Sequence, residues 1–149
     1  MRSVVQRVIR ASVDVEEPTG VVRTGEIGAG LLALIGVTHD DDESTADRMA
    51  DRIATLRICD DADGVMNCSV LDLDRPVLVV SQFTLYGDTS RGRRPGWSAA
   101  ARPETAEPLI DKVIERLRSH GVVVASGRFR TEMRVELVND GPVTVILDV

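Results

Sequence analysis

The sequence is poor in the residue types on which many enzyme classes depend. Of its 149 residues only two are cysteine and two are histidine, and aromatic side chains make up 3%. Cys59 and Cys68 have no C-x-x-C spacing and no second pair, which disfavours a disulfide framework and a zinc site. His39 and His120 lack an evident nucleophile partner, which disfavours a histidine-based triad. An enzyme of this composition has to position a reactive substrate and stabilise charge, and we expect no metal or cofactor.

Long apolar runs and common nucleotide-binding motifs are also missing. The longest apolar run, 31–37, is far shorter than the roughly 20 residues of a membrane span, and the first residues do not resemble a signal peptide. We therefore expect a cytoplasmic protein without membrane contact. The G-x-S-x-G, G-x-x-x-x-G-K-[ST] and H-E-x-x-H motifs are absent, and the glycine run at 28–30 is too short for a dinucleotide site.

The net charge restricts how the protein can bind nucleic acid. A formal net charge of −6 argues against a general nucleic-acid coat protein, because nonspecific affinity requires many cations against phosphates. Any contact with RNA has to be local. The basic residues crowd one segment, at Arg91, Arg93, Arg94 and Arg102. This cluster is either a local RNA contact or a solvated loop.

The patterns predict one domain, 1–149, with an α+β fold. Alternation from Val5 to Val15 predicts a long half-buried strand, followed by a turn at 16–20. The remaining predicted strands are 21–27 and 30–37 as a hairpin, 77–84, 122–125, 133–137 and 143–147. One helix is expected from a capping box at Ser44, and a second from Pro108 in its first turn to His120. The sheet is expected to be largely antiparallel and barrel-like, with two main helices.

Two polar segments interrupt otherwise apolar strands, and each has two interpretations. Residues 81–88 begin as Ser81-Gln82-Phe83-Thr84, and residues 139–144 read Asn-Asp-Gly-Pro-Val-Thr. The first is either a strand end that caps a turn or part of a site. The second is rich in turn formers, so it is either a hairpin or part of a site. The arginine-rich loop that follows the first segment favours the functional interpretation.

These segments resemble the D-aminoacyl-tRNA deacylase family along essentially the whole chain. The resemblance runs through 5–8 and 63–67, and its strongest motifs are 81–85, like S-Q-x-x-L, and 139–144, like N-x-G-P-[VT]-x. Both motifs stand in the family's order and at the expected ends of the chain. The sequence departs from the family at 130–133, where a Gly-Ala pair is usual, and at Gly96-Trp97, where Ser-Phe is commoner.

The resemblance implies a homodimer with active sites at the subunit interface. It implies a cis bond between Gly141 and Pro142, whose carbonyl oxygens enter the partner's pocket, hold the substrate's α-amino group and leave no room for an L side chain. By the same resemblance, Arg7 and Asn139 support this motif. Met133 lines the region beside it.

The activity that the resemblance implies is hydrolysis of the ester between a D-amino acid and the terminal ribose of tRNA, with glycine as a further possible substrate. Backbone N–H groups of Phe83 and Thr84 would stabilise the oxyanion, while Ser81 and Gln82 fix the turn and the terminal adenosine. Thr84 is a rival covalent nucleophile, but it has no adjacent base in the sequence. Water activated with help from the 2′-hydroxyl of the tRNA is the favoured alternative. The expected contacts with acceptor-stem phosphates are Arg91, Arg93 and Arg94.

Two other classes of function compete with this one. A noncatalytic RNA-binding module would keep the fold and bind tRNA without deacylating it. A hydrolase that depends on Cys59 or Cys68 would be inactivated by thiol alkylation. Both are disfavoured, because the positioning motifs are complete and neither cysteine has a base in view.

Overall fold

The computed structural model describes residues 1–90 and 92–149. Eight strands, two helices and one 3₁₀ turn are formed by these residues. The strands are β1 (Arg2–Glu17), β2 (Gly20–Ile27), β3 (Gly30–Gly36), β4 (Cys59–Asp60), β5 (Met66–Cys68), β6 (Val77–Ser81), β7 (Val124–Ser126) and β8 (Met133–Asp148). The helices are α1 (Glu43–Thr55) and α2 (Pro103–Ser119), and the 3₁₀ turn is Phe83–Tyr86. The two predicted helices and the long first strand are confirmed.

Strand β1 organises the main sheet because it is long enough to have three partners. One edge pairs antiparallel with β8 along its length, from Arg2 opposite Asp148 to Val15 opposite Met133. The other edge pairs first with β3 and then with β2. The predicted hairpin of 21–27 with 30–37 is therefore wrong. Gly28 and Ala29 carry the chain onward along one edge of β1, and the hairpin is made by β1 and β2.

The sheet is mixed rather than largely antiparallel, and it nearly closes into a barrel. Strand β6 is parallel to both β3 and β7. The chain returns to the same end of the sheet through α1 in the first case and α2 in the second, as parallel pairs require. Strand β2 approaches β7 closely: a Cβ on Gly25 would lie 2.8 Å from the carbonyl oxygen of Ser126. Glycine at this position lets the two ends of the sheet meet.

The sheet carries a hydrophobic core on each face, which explains why β3 is apolar throughout. Leu31, Ala33 and Ile35 face the helices, where they join α1 and α2 in the larger cluster. Leu32 faces the barrel interior with Val13 and other residues of the smaller cluster. A strand buried on both faces reads as a continuous apolar run, as predicted for this one.

The helix starts differ from the predictions. Helix α1 begins after Asp42, whose carboxylate accepts a hydrogen bond from the Thr45 N–H at 2.8 Å, so Asp42 rather than Ser44 is the N-cap. Hydrogen bonds from the hydroxyl and N–H of Thr45 lower the pKa of Asp42. Helix α2 begins at Pro103, which places Pro108 beyond the first turn. In the described parts of the chain, neither helix has the length and apolarity to cross a membrane.

An ion pair joins the two helices. Asp51 of α1 accepts a hydrogen bond from Arg116 Nε at 2.8 Å, and His120 Nε2 lies 2.6 Å from the same carboxylate oxygen. The hydrogen bonds from Arg116 and His120 lower the pKa of Asp51 to about 2. This contact ties the helix that precedes β6 to the helix that follows it.

Candidate active site

The first polar segment lies where β6 ends. Ser81, the last residue of β6, is opposite Ile35 in the parallel pair with β3, and the Gln82 N–H donates to the Ile35 carbonyl at 2.7 Å. The chain then turns into the 3₁₀ turn at Phe83 instead of extending to Thr84 as predicted. The polar residues therefore stand at the carboxyl edge of the parallel strands, an edge at which open α/β sheets commonly bind ligands.

The 3₁₀ turn is seated directly on Gly36. A Cβ on Gly36 would lie 2.9 Å from the carbonyl oxygen of Gln82 and 3.2 Å from the Cβ of Leu85, so only glycine allows this approach. The Leu85 N–H donates to Gln82 O at 3.2 Å, and the Gln82 amide donates to the Thr84 hydroxyl. Within residues 1–90 and 92–149, nothing accepts a hydrogen bond from the N–H groups of Phe83 and Thr84. Two backbone donors at the start of the turn are thus available to a ligand.

A cleft of about 370 Å³ opens beside this turn. That volume is within the usual range for small-molecule sites. Its polar side is formed by Ser81 and Gln82, and the ring of Phe83 makes an edge-to-face contact with Trp97 at 5.3 Å between centroids. The other lining residues are Ile35, Val37, Ala100, Ala101, Pro103, Ala106, Ile110, Phe129 and Arg130. The cleft is therefore an apolar slot with polar groups along one side.

Sequence reasoning missed most of the apolar wall. The missed residues include Phe129 and Ala106, which come from the β7–β8 connection and from α2. One sequence signal could have identified this wall. The sequence departs from the family pattern at 130–133 and at Gly96-Trp97, and Arg130 and Trp97 both line the cleft. Arg130 also has a φ of 56°, a conformation that favours glycine. The two departures from the family pattern therefore meet at one rim.

The second polar segment is held by the buried guanidinium of Arg7. Arg7 Nε donates to the Asp140 carbonyl at 3.2 Å and lies 3.0 Å from the Asp140 carboxylate. Arg7 Nη1 donates to the Ile58 carbonyl at 3.0 Å and to the Asp60 carboxylate at 2.9 Å. The Arg7 side chain is only 8% exposed. One guanidinium thus connects the residue before Gly141 to the segment that follows α1.

The Gly141–Pro142 segment stays within β8 instead of reversing the chain. The two strands predicted at 133–137 and 143–147 are one strand, because its pairing with β1 continues past an irregularity on both sides of Val8. At this irregularity the Asn139 amide donates to the Arg7 carbonyl at 2.8 Å and to the Val143 carbonyl at 3.2 Å. The Gly141–Pro142 peptide bond is cis, and both residues are exposed. Asn139 and Arg7 therefore hold an outward bulge on the sheet.

Comparisons with known proteins decide the family. The sequence profile described as D-Tyr-tRNA(Tyr) deacylase matches residues 4–148. The chain belongs to this deacylase family. A D-aminoacyl-tRNA deacylase from Symbiobacterium thermophilum is 54% identical over 148 residues, which are 99% of this chain and 95% of that relative. This deacylase-family chain is therefore an enzyme that hydrolyses an ester bond.

Solved structures share the fold of this deacylase-family chain. One, described as c-Myc DNA Unwinding Element Binding Protein, has a TM-score of 0.90 and 35% identity, and the match covers 100% of this chain and 99% of the other. A second, described as a probable eukaryotic D-amino acid tRNA deacylase, has a TM-score of 0.84 over 99% and 98% of the two chains. At 17% identity, the second likeness shows the fold alone.

The other residues that the deacylase resemblance singled out are spread along the chain. Met133 is the first residue of β8, whereas Gly141 lies midway along this strand, and Met133 packs against the barrel core opposite Val15. Arg93 and Arg94 are exposed on a loop that Asp88 and Gly96 close with two backbone hydrogen bonds of 2.8 Å. The loop leads to Trp97 in the cleft. Arg91, the third predicted phosphate contact, lies outside the described residues.

The residues that could supply rival chemistry are engaged elsewhere. His39 Nε2 lies 2.8 Å from the carbonyl oxygen of Ser98. Neither cysteine is among the residues that line the cleft. Cys59 is fully buried, and burial raises the pKa of its thiol. Within the described residues, the cleft thus holds backbone donors, a serine, a glutamine and an arginine but no histidine or cysteine.

Proposed function

We propose that this enzyme hydrolyses the ester between a D-amino acid and the 3′-terminal ribose of tRNA. The observation that carries the proposal is the 3₁₀ turn at Phe83, whose free N–H groups open beside a cleft of about 370 Å³. Aminoacyl esters are reactive substrates, so positioning and oxyanion stabilisation are sufficient chemistry. This agrees with a site that has no histidine or cysteine in the described part of its lining. The substrate would place the enzyme in the cytoplasm.

The tetrahedral oxyanion would be held by the backbone N–H groups of Phe83 and Thr84. Because Gly36 seats the turn against β3, these donors are fixed before the substrate arrives. Loss of one such donor typically costs on the order of 10²-fold or more in rate. The attacking water would be activated with help from the 2′-hydroxyl of the terminal ribose, and Ser81 and Gln82 would hold the terminal adenosine.

Chirality would be tested by a second copy of the chain. In a homodimer, the bulge at Gly141 and Pro142 would enter the partner's cleft, where its carbonyl oxygens hold the substrate's α-ammonium group. An L side chain would then meet the bulge, while a D side chain would point away. Because Arg7 and Asn139 fix the bulge in each protomer, the carbonyl oxygens would be preorganised. Met133 would line the region beside the bulge. Glycine, which has no side chain, would escape rejection and become a further substrate.

The tRNA acceptor end would be bound by a local set of cations. Arg93 and Arg94 are exposed on the loop that ends at Trp97, so they would lie beside any strand that enters the cleft. Arg91 would belong to the same set. Since the chain has a net charge of −6, binding would depend on this loop rather than on the whole surface.

The proposal is tested by following ester hydrolysis of D-Tyr-tRNA and L-Tyr-tRNA with the purified protein. We expect rapid loss of the D ester and little loss of the L ester. A double variant, Arg93→Ala with Arg94→Ala, tests the tRNA contact. When tRNA affinity is measured at increasing salt, this variant should show a flatter salt dependence than the unmodified protein. Binding of tRNA without hydrolysis would instead identify a noncatalytic binding module.

A further inference from the structure

The only two cysteines of the chain face each other across a small sheet. Cys59 in β4 is the register partner of Cys68 in β5, and the two strands are antiparallel, with an irregularity in the pairing between Cys59 and Asp60. Opposite residues in an antiparallel pair have Cα atoms about 4.5–5.5 Å apart and point to the same face. A disulfide requires Cα atoms about 4.4–6.8 Å apart. The register therefore satisfies the backbone condition for a cross-strand bridge.

The hairpin between the two cysteines is already closed by its own hydrogen bonds. The Asp61 N–H donates to the Val65 carbonyl at 2.8 Å, and the Asp61 carboxylate accepts from the N–H groups of Asp63 and Val65 at 3.0 Å each. These hydrogen bonds hold β4 and β5 together without a bridge. Little chain entropy remains to be lost when the two sulfur atoms join, which favours intramolecular over intermolecular pairing.

We propose that Cys59 and Cys68 form a reversible intramolecular disulfide when the protein meets an oxidised low-molecular-weight disulfide. The half-buried Cys68 thiolate attacks one sulfur of the reagent, which leaves as one thiol. The thiolate of the buried Cys59 then attacks the Cys68 sulfur of the mixed disulfide, and the second reagent thiol leaves. The two protein thiols give up two protons and two electrons, and the reagent disulfide becomes two thiols. A reducing thiol reverses both steps.

The bridge would stabilise the segment that holds Arg7. The residues on both sides of Cys59 bind this guanidinium, Ile58 through its carbonyl and Asp60 through its carboxylate. Arg7 in turn holds Asp140, next to Gly141. Oxidation would therefore protect the bulge at Gly141 and Pro142 against thermal disorder, a consequence that rests on the proposed function.

The test equilibrates the folded protein in glutathione buffers of increasing oxidising strength, followed by thiol counting and peptide mapping. We expect both free thiols to disappear together and a Cys59–Cys68 cross-linked peptide to appear. The oxidised form should melt roughly 5–10 °C higher than the reduced form. Thiol counting, peptide mapping and Tm require no enzyme activity, so a failure of the disulfide proposal can be distinguished from a failure of the deacylase proposal.

Two variants control for the position of the thiol. Cys68→Ser should abolish the bridge and the rise in Tm. Cys68→Ser combined with Met66→Cys keeps two thiols but places the second opposite Asp60 rather than Cys59, and it should not form the bridge. Two persistent thiols in the folded unmodified protein, a stable mixed disulfide on Cys68, or a bridge without a rise in Tm would each overturn the proposal.

Discussion

The guanidinium of Arg7 is buried and makes four polar contacts. Two carbonyl oxygens and two carboxylates from distant parts of the chain surround its guanidinium, which is almost fully buried. The planar guanidinium presents several N–H donors in fixed directions, whereas a lysine ammonium acts as a single point charge. The geometry therefore requires arginine, even though either residue would supply the positive charge.

Arg7→Lys should lower both stability and activity. We expect the free energy of unfolding to fall by about 1–3 kcal/mol, because buried acceptors lose their donors. The rate of D-Tyr-tRNA hydrolysis should fall at least about tenfold, because Arg7 no longer holds Asp140 and the bulge next to it in place. Urea unfolding and the ester assay measure the two effects.

Arg10→Lys is the matched control. Arg10 lies on the same strand and pairs with Glu136 of β8, but its side chain is 61% exposed. The free energy of unfolding of this variant should change by less than about 0.5 kcal/mol. An equally small change at Arg7 would mean that Arg7 acts only through its positive charge, which lysine keeps.

A substitution at Thr84 distinguishes a backbone oxyanion site from a mechanism in which the Thr84 hydroxyl is the nucleophile. Thr84→Ala removes a hydroxyl but keeps the backbone N–H, so a backbone oxyanion site should retain activity within about tenfold. The remaining loss would come from the Gln82 amide, which donates to this hydroxyl. A loss on the order of 10⁴-fold or more, or an acyl group trapped on Thr84, would identify the hydroxyl as the nucleophile.

Among the elements, the 3₁₀ turn depends on the strand beneath it. Gly36→Ala would place a Cβ 2.9 Å from the Gln82 carbonyl oxygen, and the turn would have to move. We expect a loss of about 10²-fold in kcat, because both oxyanion donors move with the turn. Gly28→Ala is the control, since nothing lies within 4 Å of its Cβ. Unchanged kcat in a folded Gly36→Ala variant would exclude the turn from the chemistry.

The contact between α1 and α2 makes the stability depend on acid pH. Asp51 has a folded pKa of about 2 against an ordinary value of 3.8, so its contribution is present above about pH 4 and is lost as the pH falls toward 2. Because the Asp51 side chain is 42% exposed, we expect only about 1 kcal/mol after solvent screening. Asp51→Asn should remove this amount at neutral pH and flatten the acid limb of the urea-unfolding profile.

Glu115→Gln provides the comparison for this profile. Glu115 is exposed on α2, next to Arg116, and its substitution removes one negative charge as well. It should leave the acid limb unchanged. If both variants flatten the limb equally, the effect belongs to net charge and not to the Asp51 contact.

Elements with a strong period could be predicted from the sequence. The alternation of β1 and the apolar run of β3 gave their positions, and the apolar face of α2 gave its body. The start of α1 was missed because several residues in a row were chemically able to cap it, and the start of α2 was missed because its N-cap, Arg102, makes no side-chain capping hydrogen bond. Pairing was missed for a different reason: whether Gly28 and Ala29 reverse the chain or continue it depends on the length of β1, which local patterns do not show.

The candidate site could be predicted only where it coincides with a motif. Residues 81–84 and the neighbourhood of Gly141 were predicted from their polar composition together with the resemblance of their motifs to the family, and the structure places them on different elements. Phe129 and the start of α2 were not identified, because apolar residues in a cleft look like core residues in a sequence. The contacts of Arg7 with Ile58 and Asp60 join positions about 50 residues apart, which no local pattern reports.

At the scale of the whole molecule, the proposal that the bulge acts across an interface has a direct test. Mixing an Arg7→Lys subunit with a Gly36→Ala subunit gives a heterodimer in which one site combines an intact turn with an intact bulge. With free exchange, half the dimers are mixed and each has one intact site of two, so roughly a quarter of full activity should return. No recovery despite heterodimers seen by mass spectrometry would mean that the bulge serves its own subunit.

The pairing of β1 with β8 sets the order in which the protein can be made. Arg2 lies opposite Asp148, so β1 leaves the ribosome well before β8 and waits for it before one of its edges is covered. Such long-range pairing slows folding, and an open strand edge is a site of intermolecular association. A nascent chain can form the β1–β2 hairpin early, but the edge of β1 that pairs with β8 stays uncovered until β8 has been synthesised. Chaperones should therefore be needed most by the nascent chain before β8 emerges.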